Sequence, residues 1–242
     1  MAKNKVSLKA QASYYDGKWG TYQYANSLES ARIHAILGLV VQTQLPYPRC
    51  LDLGCGAGVL AGILGTFGPT LGVDLSPTAV EVARQRFPYA QFWAGDVLEW
   101  KPDAQYDIVV SQEVIEHLED QARFCKVGYA ALRPGGYFIL TTPNPPVMRA
   151  VEQERTTAWS DQPVENWITA RQIRAMLRNV GFVDIRISTV ILGTARQGMH
   201  RVVNSPTMLA TLESVGLRTS WEAWARRTGF GLHLLVQARR PE

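Results

Sequence analysis

The chain has 242 residues, of which 46% are hydrophobic, so one sizeable domain with additions can bury a core that needs no disulfides. The formal net charge is +4, but the basic residues are dispersed without a run of about five or six, which disfavours a nucleic-acid partner. No apolar stretch is long enough to cross a bilayer, no signal peptide is visible, and three cysteines without metal-type spacing fit a reducing compartment, so we expect a cytoplasmic protein.

Residues 1–44 precede the first predicted core strand and are expected to form an N-terminal aromatic and helical lid. The segment from Tyr14 to Tyr24 is rich in aromatic residues but has no regular period. Two interpretations therefore stay open: the segment anchors the N-terminus to the core, or it closes over a ligand. Residues 27–41 carry apolar side chains at mostly helical spacing, which predicts a lid or packing helix.

The main domain is expected at residues 45–242, where predicted strands and helices alternate. The predicted strands are 50–53, 70–74, 91–94, 106–111, 137–142, 183–192 and 232–238, and the predicted helices include 59–66, 77–86, 120–132 and 169–178. Such alternation indicates an α/β fold with a doubly wound, mainly parallel sheet. About twenty residues after Pro146 show no regular pattern and are expected to form a functional loop. An insertion at 193–230 is expected to shape an acceptor site.

The most informative motif is the segment from Arg49 to Gly58, which ends an apolar run with alternating glycines. Glycine lets the backbone turn sharply and approach a ligand closely. Asp74 follows Gly54 by 20 residues at the end of the second predicted strand, where a carboxylate can accept hydrogen bonds from ribose hydroxyls. Together these residues predict a nucleoside cofactor. A role for Asp74 in capping the helix that begins at Pro77 is compatible with that prediction.

The spacing of the glycines selects the class of nucleoside. A dinucleotide fingerprint places its third glycine where Val59 stands, one residue after Gly58. The pattern instead resembles the first motif of the class I S-adenosylmethionine-dependent methyltransferases, and further motifs follow in the same order up to Asn144. The resemblance implies a Rossmann-like, seven-stranded sheet whose last two strands are antiparallel.

The resemblance also implies which residues bind S-adenosylmethionine. In that family the carboxylate at Asp74 binds ribose, and the one at Asp96 faces the adenine amino group. The residues expected to bind the cofactor are Asp52, Gly54, Cys55, Gly56, Gly58, Asp74, Leu75, Asp96, Val97 and Gln112.

A second motif follows the fourth predicted strand and contains Glu113, Glu116 and His117. On a helical turn these three side chains share one face, where they could bind Mg²⁺ or Mn²⁺. The segment is similar to those of ubiquinone-pathway O-methyltransferases and of small-RNA 2′-O-methyltransferases. The RNA enzymes need a further downstream histidine, and none stands between Thr142 and Ile168. A metal-free catalytic His117 and a purely electrostatic role at a helix start are the other interpretations.

The sequence therefore predicts an enzyme that transfers a methyl group from S-adenosylmethionine to a small-molecule acceptor, with O-methylation favoured. His117 and Glu113 are the predicted catalytic residues, because an imidazole can take the proton of a hydroxyl near neutral pH. RNA 2′-O methylation and a non-catalytic module that binds adenosylmethionine are the alternatives. The oligomeric state is not indicated by any feature of the sequence.

Overall fold

A computed structural model describes residues 7–20, 25–102, 104–152, 163–192, 198–203 and 205–242. Its strands are β1 (Cys50–Leu53), β2 (Thr70–Asp74), β3 (Gln91–Ala94), β4 (Tyr106–Gln112), β5 (Leu132–Pro143), β6 (Val183–Leu192) and β7 (Gly231–Arg239). They form one seven-stranded sheet in the order β3-β2-β1-β4-β5-β7-β6. β7 runs antiparallel to both of its neighbours, and the pairs among β1 to β5 are parallel. The predicted mainly parallel, seven-stranded sheet is confirmed.

The helices are α1 (Leu8–Gly20), α2 (Ser27–Gln42), α3 (Val59–Leu64), α4 (Pro77–Arg86), α5 (Gln121–Ala131), α6 (Pro145–Glu152), α7 (Ala170–Val180), α8 (Gly198–Val203), α9 (Pro206–Ser214) and α10 (Arg218–Arg227). A single 3₁₀ turn, Ile115–His117, follows β4. Several helices begin at residues whose side chains accept a backbone hydrogen bond, as Asn26, Ser76 and Thr169 do. None of the helices in these described ranges is long and apolar enough to cross a membrane.

Two apolar layers hold the helices against the sheet. On one face, Leu51, Phe138 and Leu177 belong to a buried cluster that includes residues of α5 and α7. On the other face, Ile33 and Ile36 of α2 pack with residues of β1, β4 and β5. Helix α2 thus packs against the sheet, as one of the two interpretations of its sequence pattern expects.

Two predicted irregular segments contain helices. The N-terminal aromatic segment lies partly in α1, where apolar residues are spread around the helix and give no periodic signal; residues 21–24 lie outside the described residues. Helix α6 occupies the start of the predicted loop. Its two leading prolines suit the first turn of a helix, and Val147 and Met148 pack on Leu232 of β7. The tertiary contact with β7, remote in the sequence, accounts for a helix that the local pattern did not predict.

The topology gathers several strand ends at one edge of the sheet. The carboxyl ends of β1, β2, β4 and β5 meet there because these strands are parallel. The beginning of β7 reaches the same edge, since His233 pairs with Pro143 at the end of β5. Ligands of open α/β sheets bind at such an edge.

Candidate functional site

A cavity of about 370 Å³ lies at this edge of the sheet. It is lined by nine of the ten residues predicted to bind the cofactor: Asp52, Gly54, Cys55, Gly56, Asp74, Leu75, Asp96, Val97 and Gln112. Glu113, Glu116 and His117 line it as well. The structure therefore brings the two sequence motifs together around one space.

Gly58 is the exception, and its neighbours explain why. A Cβ at Gly58 would lie 2.6 Å from the Cβ of Ala83 and 3.0 Å from the ring of Phe92, so its small size lets α3 and α4 approach. Gly54 and Gly56 face the cavity with φ angles of 81° and 50°. A Cβ at Gly54 would lie 2.2 Å from a methyl group of Val114. The turn after β1 can be this tight only with glycine.

Asp74 fastens this turn to the end of β2. Its carboxylate accepts hydrogen bonds from the backbone N–H of Gly56 at 2.8 Å and of Ser76 at 2.9 Å. Ser76, and not Asp74, is the residue that caps α4. Each carboxylate oxygen can accept more than one hydrogen bond, so Asp74 can still bind hydroxyl groups from the cavity.

Asp52 is buried at the end of β1, and neither of its carboxylate oxygens has a hydrogen-bond partner among the described residues. Burial and the nearby charge of Asp74 raise the pKa of Asp52 to about 8. An unpartnered buried carboxylate of this kind costs stability. A cationic group in the cavity beside Asp52 would offset that cost.

The third predicted carboxylate, Asp96, lies after β3. It accepts a hydrogen bond from the backbone N–H of Leu98 at 2.9 Å and lines the cavity together with Val97 and Leu75. Gln112, at the end of β4, donates to the backbone oxygen of Glu29 in α2 at 3.5 Å. The cofactor-binding roles of these side chains stay predictions that their placement permits.

At the other end of the cavity, Glu113 contacts two cationic or basic side chains from distant elements. Its Oε2 lies 2.8 Å from Nδ1 of His233 in β7, and its Oε1 lies 3.8 Å from Nε of Arg32 in α2. Burial alone would raise the pKa of Glu113, but His233 and Arg32 lower it below its ordinary value. Glu113 is therefore an ionised carboxylate inside the cavity.

Glu116 and His117 make different contacts. Glu116 is buried and accepts a hydrogen bond from Thr142 Oγ1 at 3.0 Å, and burial together with Glu113 raises its pKa well above the ordinary value. His117 Nδ1 lies 2.8 Å from the backbone oxygen of Val164, and burial lowers the pKa of this imidazole. Burial thus favours the uncharged form of both groups.

The predicted helical face of Glu113, Glu116 and His117 is not formed. Only the latter two belong to the 3₁₀ turn, whereas the backbone of Glu113 is left-handed with a φ of 55° and directs its side chain towards β7. Among the described residues, no group of three His, Cys, Asp or Glu side chains is arranged to hold a metal ion. The metal site stays a prediction without support from the geometry.

Helix α1 covers the cavity, which Tyr15, Lys18 and Trp19 line from above. Oδ1 of Asp16 accepts hydrogen bonds from Ser76 Oγ at 2.5 Å and from the backbone N–H of Thr78 at 3.3 Å. These contacts fasten α1 to the first turn of α4. Burial raises the pKa of Tyr15 above its ordinary value. Of the two interpretations of the aromatic segment, closure over a ligand agrees with this arrangement.

No local motif in the sequence indicates Arg32 or His233, two further polar residues that line the cavity. Arg32 lies in the packing helix α2, and His233 lies in the buried apolar strand β7. Conversely, the described part of one predicted segment is not found at the cavity. The insertion at 193–230 was expected to shape the site, yet none of its described residues lines the cavity. That expectation stays a prediction, since residues 193–197 and 204 lie outside the described ranges.

Comparison with known proteins shows which family the chain resembles. Residues 24–187 match a sequence family described as a methyltransferase domain. A "Probable S-adenosylmethionine-dependent methyltransferase" from Mycobacterium tuberculosis is 31% identical over 163 residues, which are 63% of this chain and 57% of that protein. A ubiquinone biosynthesis O-methyltransferase from Methylobacterium nodulans is 28% identical over 154 residues, covering 58% of this chain and 62% of that protein. The chain thus spans less than two thirds of the length of these relatives.

Solved structures agree on the fold. A methyltransferase from Haloferax volcanii, in complex with the Trm112 methyltransferase activator, superposes with a TM-score of 0.65 over 98% of both chains at 19% identity. With the family match covering more than half of the chain, the protein belongs to the class I S-adenosylmethionine-dependent methyltransferase family.

Proposed function

We propose that the enzyme methylates an oxygen atom of a small-molecule acceptor. The observation that carries this proposal is a single cavity whose one end has the glycine turn, Asp52 and Asp74, and whose other end has Glu113 and two imidazoles. The first end has the groups that a nucleoside with a cationic tail needs, and the second has groups that can accept a proton. The O-methyltransferase among the relatives supports the choice of oxygen.

The residues at the first end fit S-adenosylmethionine. Its charged α-ammonium group would give Asp52 the cationic partner that both carboxylate oxygens lack among the described residues. Asp74 would bind the ribose and Asp96 the adenine, as the family resemblance implies. The cofactor supplies a methyl group already activated by a sulfonium.

The protein then has to align the acceptor, exclude water and receive a proton, because the methyl group needs no further activation. Helix α1 closes the cavity over the glycine turn, which keeps water away. The acceptor end also has apolar walls, from Pro143, Met148 and Trp167. Apolar walls with a few polar groups are typical of sites for small molecules.

RNA methylation remains the second candidate from the sequence, and its support is weak. The net charge is modest, and the cavity contains more carboxylates than basic side chains, which disfavours a phosphate backbone. A module that only binds adenosylmethionine would not need ionisable groups at the second end.

The proposal is tested by incubating the protein with methyl-labelled S-adenosylmethionine and four separate acceptors: 3,4-dihydroxybenzoate, caffeate, a small-metabolite extract and total RNA. We expect label in at least one of the first three, at a rate that moderate salt changes little. Label in RNA alone, with a steep loss as salt rises, would contradict the proposal, because that salt dependence is typical of phosphate contacts.

A further inference from the structure

The second imidazole of the acceptor end, His233, has a partner that His117 lacks. Its Nδ1 lies 2.8 Å from the carboxylate of Glu113, and its side chain is only 6% exposed. We propose that His233, held by Glu113, takes the proton from the acceptor hydroxyl during methyl transfer. This inference rests on the proposed function and names the group that does its proton chemistry.

The position of His233 follows from the sheet topology. β7 is antiparallel to β5, so the third residue of β7 comes to the edge where β4 and β5 end, opposite Pro143. Glu113 follows β4 directly at the same edge. Both side chains line the cavity, and the wall beside them includes Met148 and Trp167.

Arg32 determines which nitrogen of His233 carries the proton. Nη1 of Arg32 lies 3.4 Å from Nε2 of His233, and a guanidinium can only donate. Nε2 therefore accepts with its lone pair, and the ring proton is on Nδ1, towards Glu113. A neutral imidazole with an unprotonated Nε2 is the form that a general base requires. At 3.4 Å the contact with Arg32 is long, so a hydroxyl group can replace it.

The backbone of Glu113 supports a functional role for this pair. A φ of 55° is unfavourable for a residue with a side chain, and such residues cluster at active sites. Here the left-handed conformation turns the carboxylate towards β7 and away from the 3₁₀ turn. The pair is close but not aligned, since His233 Nδ1 makes no well-angled hydrogen bond, a looseness that often tightens when substrates bind.

His117 is less suited to the same task. Its Nδ1 faces a backbone oxygen, that of Val164, and the carboxyl group nearest to its Nε2 is Glu116 at 3.7 Å. Burial and the charge of Glu113 favour the uncharged form of that acid by raising its pKa. At His233 the carboxylate of Glu113 instead lies 2.8 Å from Nδ1, where it can orient the ring.

The step balances without an added reagent. As the acceptor oxygen forms its bond to the methyl carbon, the hydroxyl proton moves to Nε2 of His233. The bond between the methyl carbon and sulfur breaks, and its electron pair stays on sulfur, which becomes a neutral thioether. The imidazolium forms beside Glu113 and returns its proton to solvent after the products leave.

One test does not depend on turnover. We expect long-range ¹H–¹⁵N spectra of the protein saturated with S-adenosylhomocysteine to show His233 as a neutral ring protonated on Nδ1. The chain has four histidines, so the signal is assigned by its loss in His233→Gln. Glu113→Gln should weaken the preference for Nδ1. A ring protonated on Nε2 in the native protein would overturn the inference.

The second test compares variants with 3,4-dihydroxybenzoate, caffeate and the metabolite extract as acceptors. His233→Gln should lower kcat by about 10²- to 10⁴-fold with little change in affinity for adenosylmethionine. His233→Ala should regain activity with added imidazole, which a merely structural role does not predict. The control is His34→Gln, an exposed histidine of α2 whose Nδ1 contacts only its own helix at Ser30, and it should keep full activity.

The outcomes separate the two proposals. If the native protein methylates an acceptor and His233→Gln does so with unchanged kcat, the inference fails and the proposed function stands. The inference also fails, and the proposed function stands, if activity is lost in His117→Gln but not in His233→Gln. A native protein that binds adenosylmethionine but methylates none of these acceptors contradicts the proposed function, and the inference falls with it.

Discussion

The two ends of the cavity are built in different ways. The cofactor end comes from consecutive strand ends, with the glycine turn after β1, Asp74 at the end of β2 and Asp96 after β3. The acceptor end joins residues that are up to 201 positions apart, as Arg32 and His233 are. Short segments of sequence therefore encode the cofactor end, whereas the acceptor end exists only after the sheet has formed.

The two ends of the cavity meet where Gly54 contacts Val114. A substitution at Gly54 is expected to have the largest effect on stability. In Gly54→Ala the new methyl group would lie 2.2 Å from Val114 on a backbone with a φ of 81°. We expect a loss of about 2–4 kcal/mol in the free energy of unfolding, because overpacking and left-handed strain add. Chemical denaturation measures it.

The matched control for this prediction is Gly38→Ala in α2, where a Cβ meets nothing within 4 Å. That change should raise the free energy of unfolding by about 0.5–1 kcal/mol, since alanine favours a helix interior. Equal effects of the two substitutions would show that the turn at Gly54 is not constrained.

Asp74→Ala should act on the cofactor end alone. Hydrogen bonds to a charged group contribute about 1.5–3 kcal/mol, so we expect affinity for adenosylmethionine to fall by roughly 10- to 150-fold. Calorimetry measures this loss, with Glu81→Gln on the exposed side of α4 as the control. A folded variant with unchanged affinity would place the ribose elsewhere.

Because the pKa of Asp52 is raised, we expect rising pH to lower the free energy of unfolding and to raise the affinity for adenosylmethionine. With a pKa of about 8 in the folded protein against 3.8 as the ordinary value, the neutral acid is favoured by folding. The free energy of unfolding should therefore fall as the pH rises from about 4 to 8. A bound ammonium group favours the carboxylate, so affinity should rise up to about tenfold per pH unit below pH 8.

Calorimetry in buffers of different ionisation enthalpy checks this prediction, because binding near pH 7 should release up to about one proton. Asp52→Asn should abolish the release. Proton uptake, or a release that persists in Asp52→Asn, would assign the linkage to another group.

The smallest expected effect concerns helix α1, which covers the cavity. Asp16→Asn weakens the contacts with Ser76 and Thr78 that fasten α1 to α4, and Asp16 is only partly buried. We expect the free energy of locally opening α1 to fall by about 0.5–1.5 kcal/mol. Faster amide hydrogen exchange in that helix would show this change. Unchanged exchange in α1 would show that other contacts hold it.

The sequence predicted the cofactor end well because its signals are local. All seven strands and the helices α3, α4, α5 and α7 were predicted, and the apolar runs of β1 to β3 end in glycine or a carboxylate. The nine predicted residues that line the cavity lie at or just after the ends of strands β1 to β4. The order of these motifs along the chain was enough to indicate their proximity in space.

The acceptor end was predicted less well for the opposite reason. Glu113 was expected on one helical face with Glu116 and His117, but the polypeptide turns left-handed at Glu113, which no residue type indicates. His233 lies in a buried apolar strand, and only the antiparallel register with β5 brings it to the site. Helix α6 was missed because its apolar side chains pack on β7, a remote segment.

A crystal structure with S-adenosylhomocysteine would show whether the cavity has a cofactor end and an acceptor end. We expect the ribose hydroxyls within hydrogen-bonding distance of Asp74, the α-ammonium group beside Asp52, and the sulfur directed towards the end of the cavity that holds Glu113 and His233. A nucleoside bound over β5 and β7, or a sulfur atom directed away from His233, would contradict this expectation.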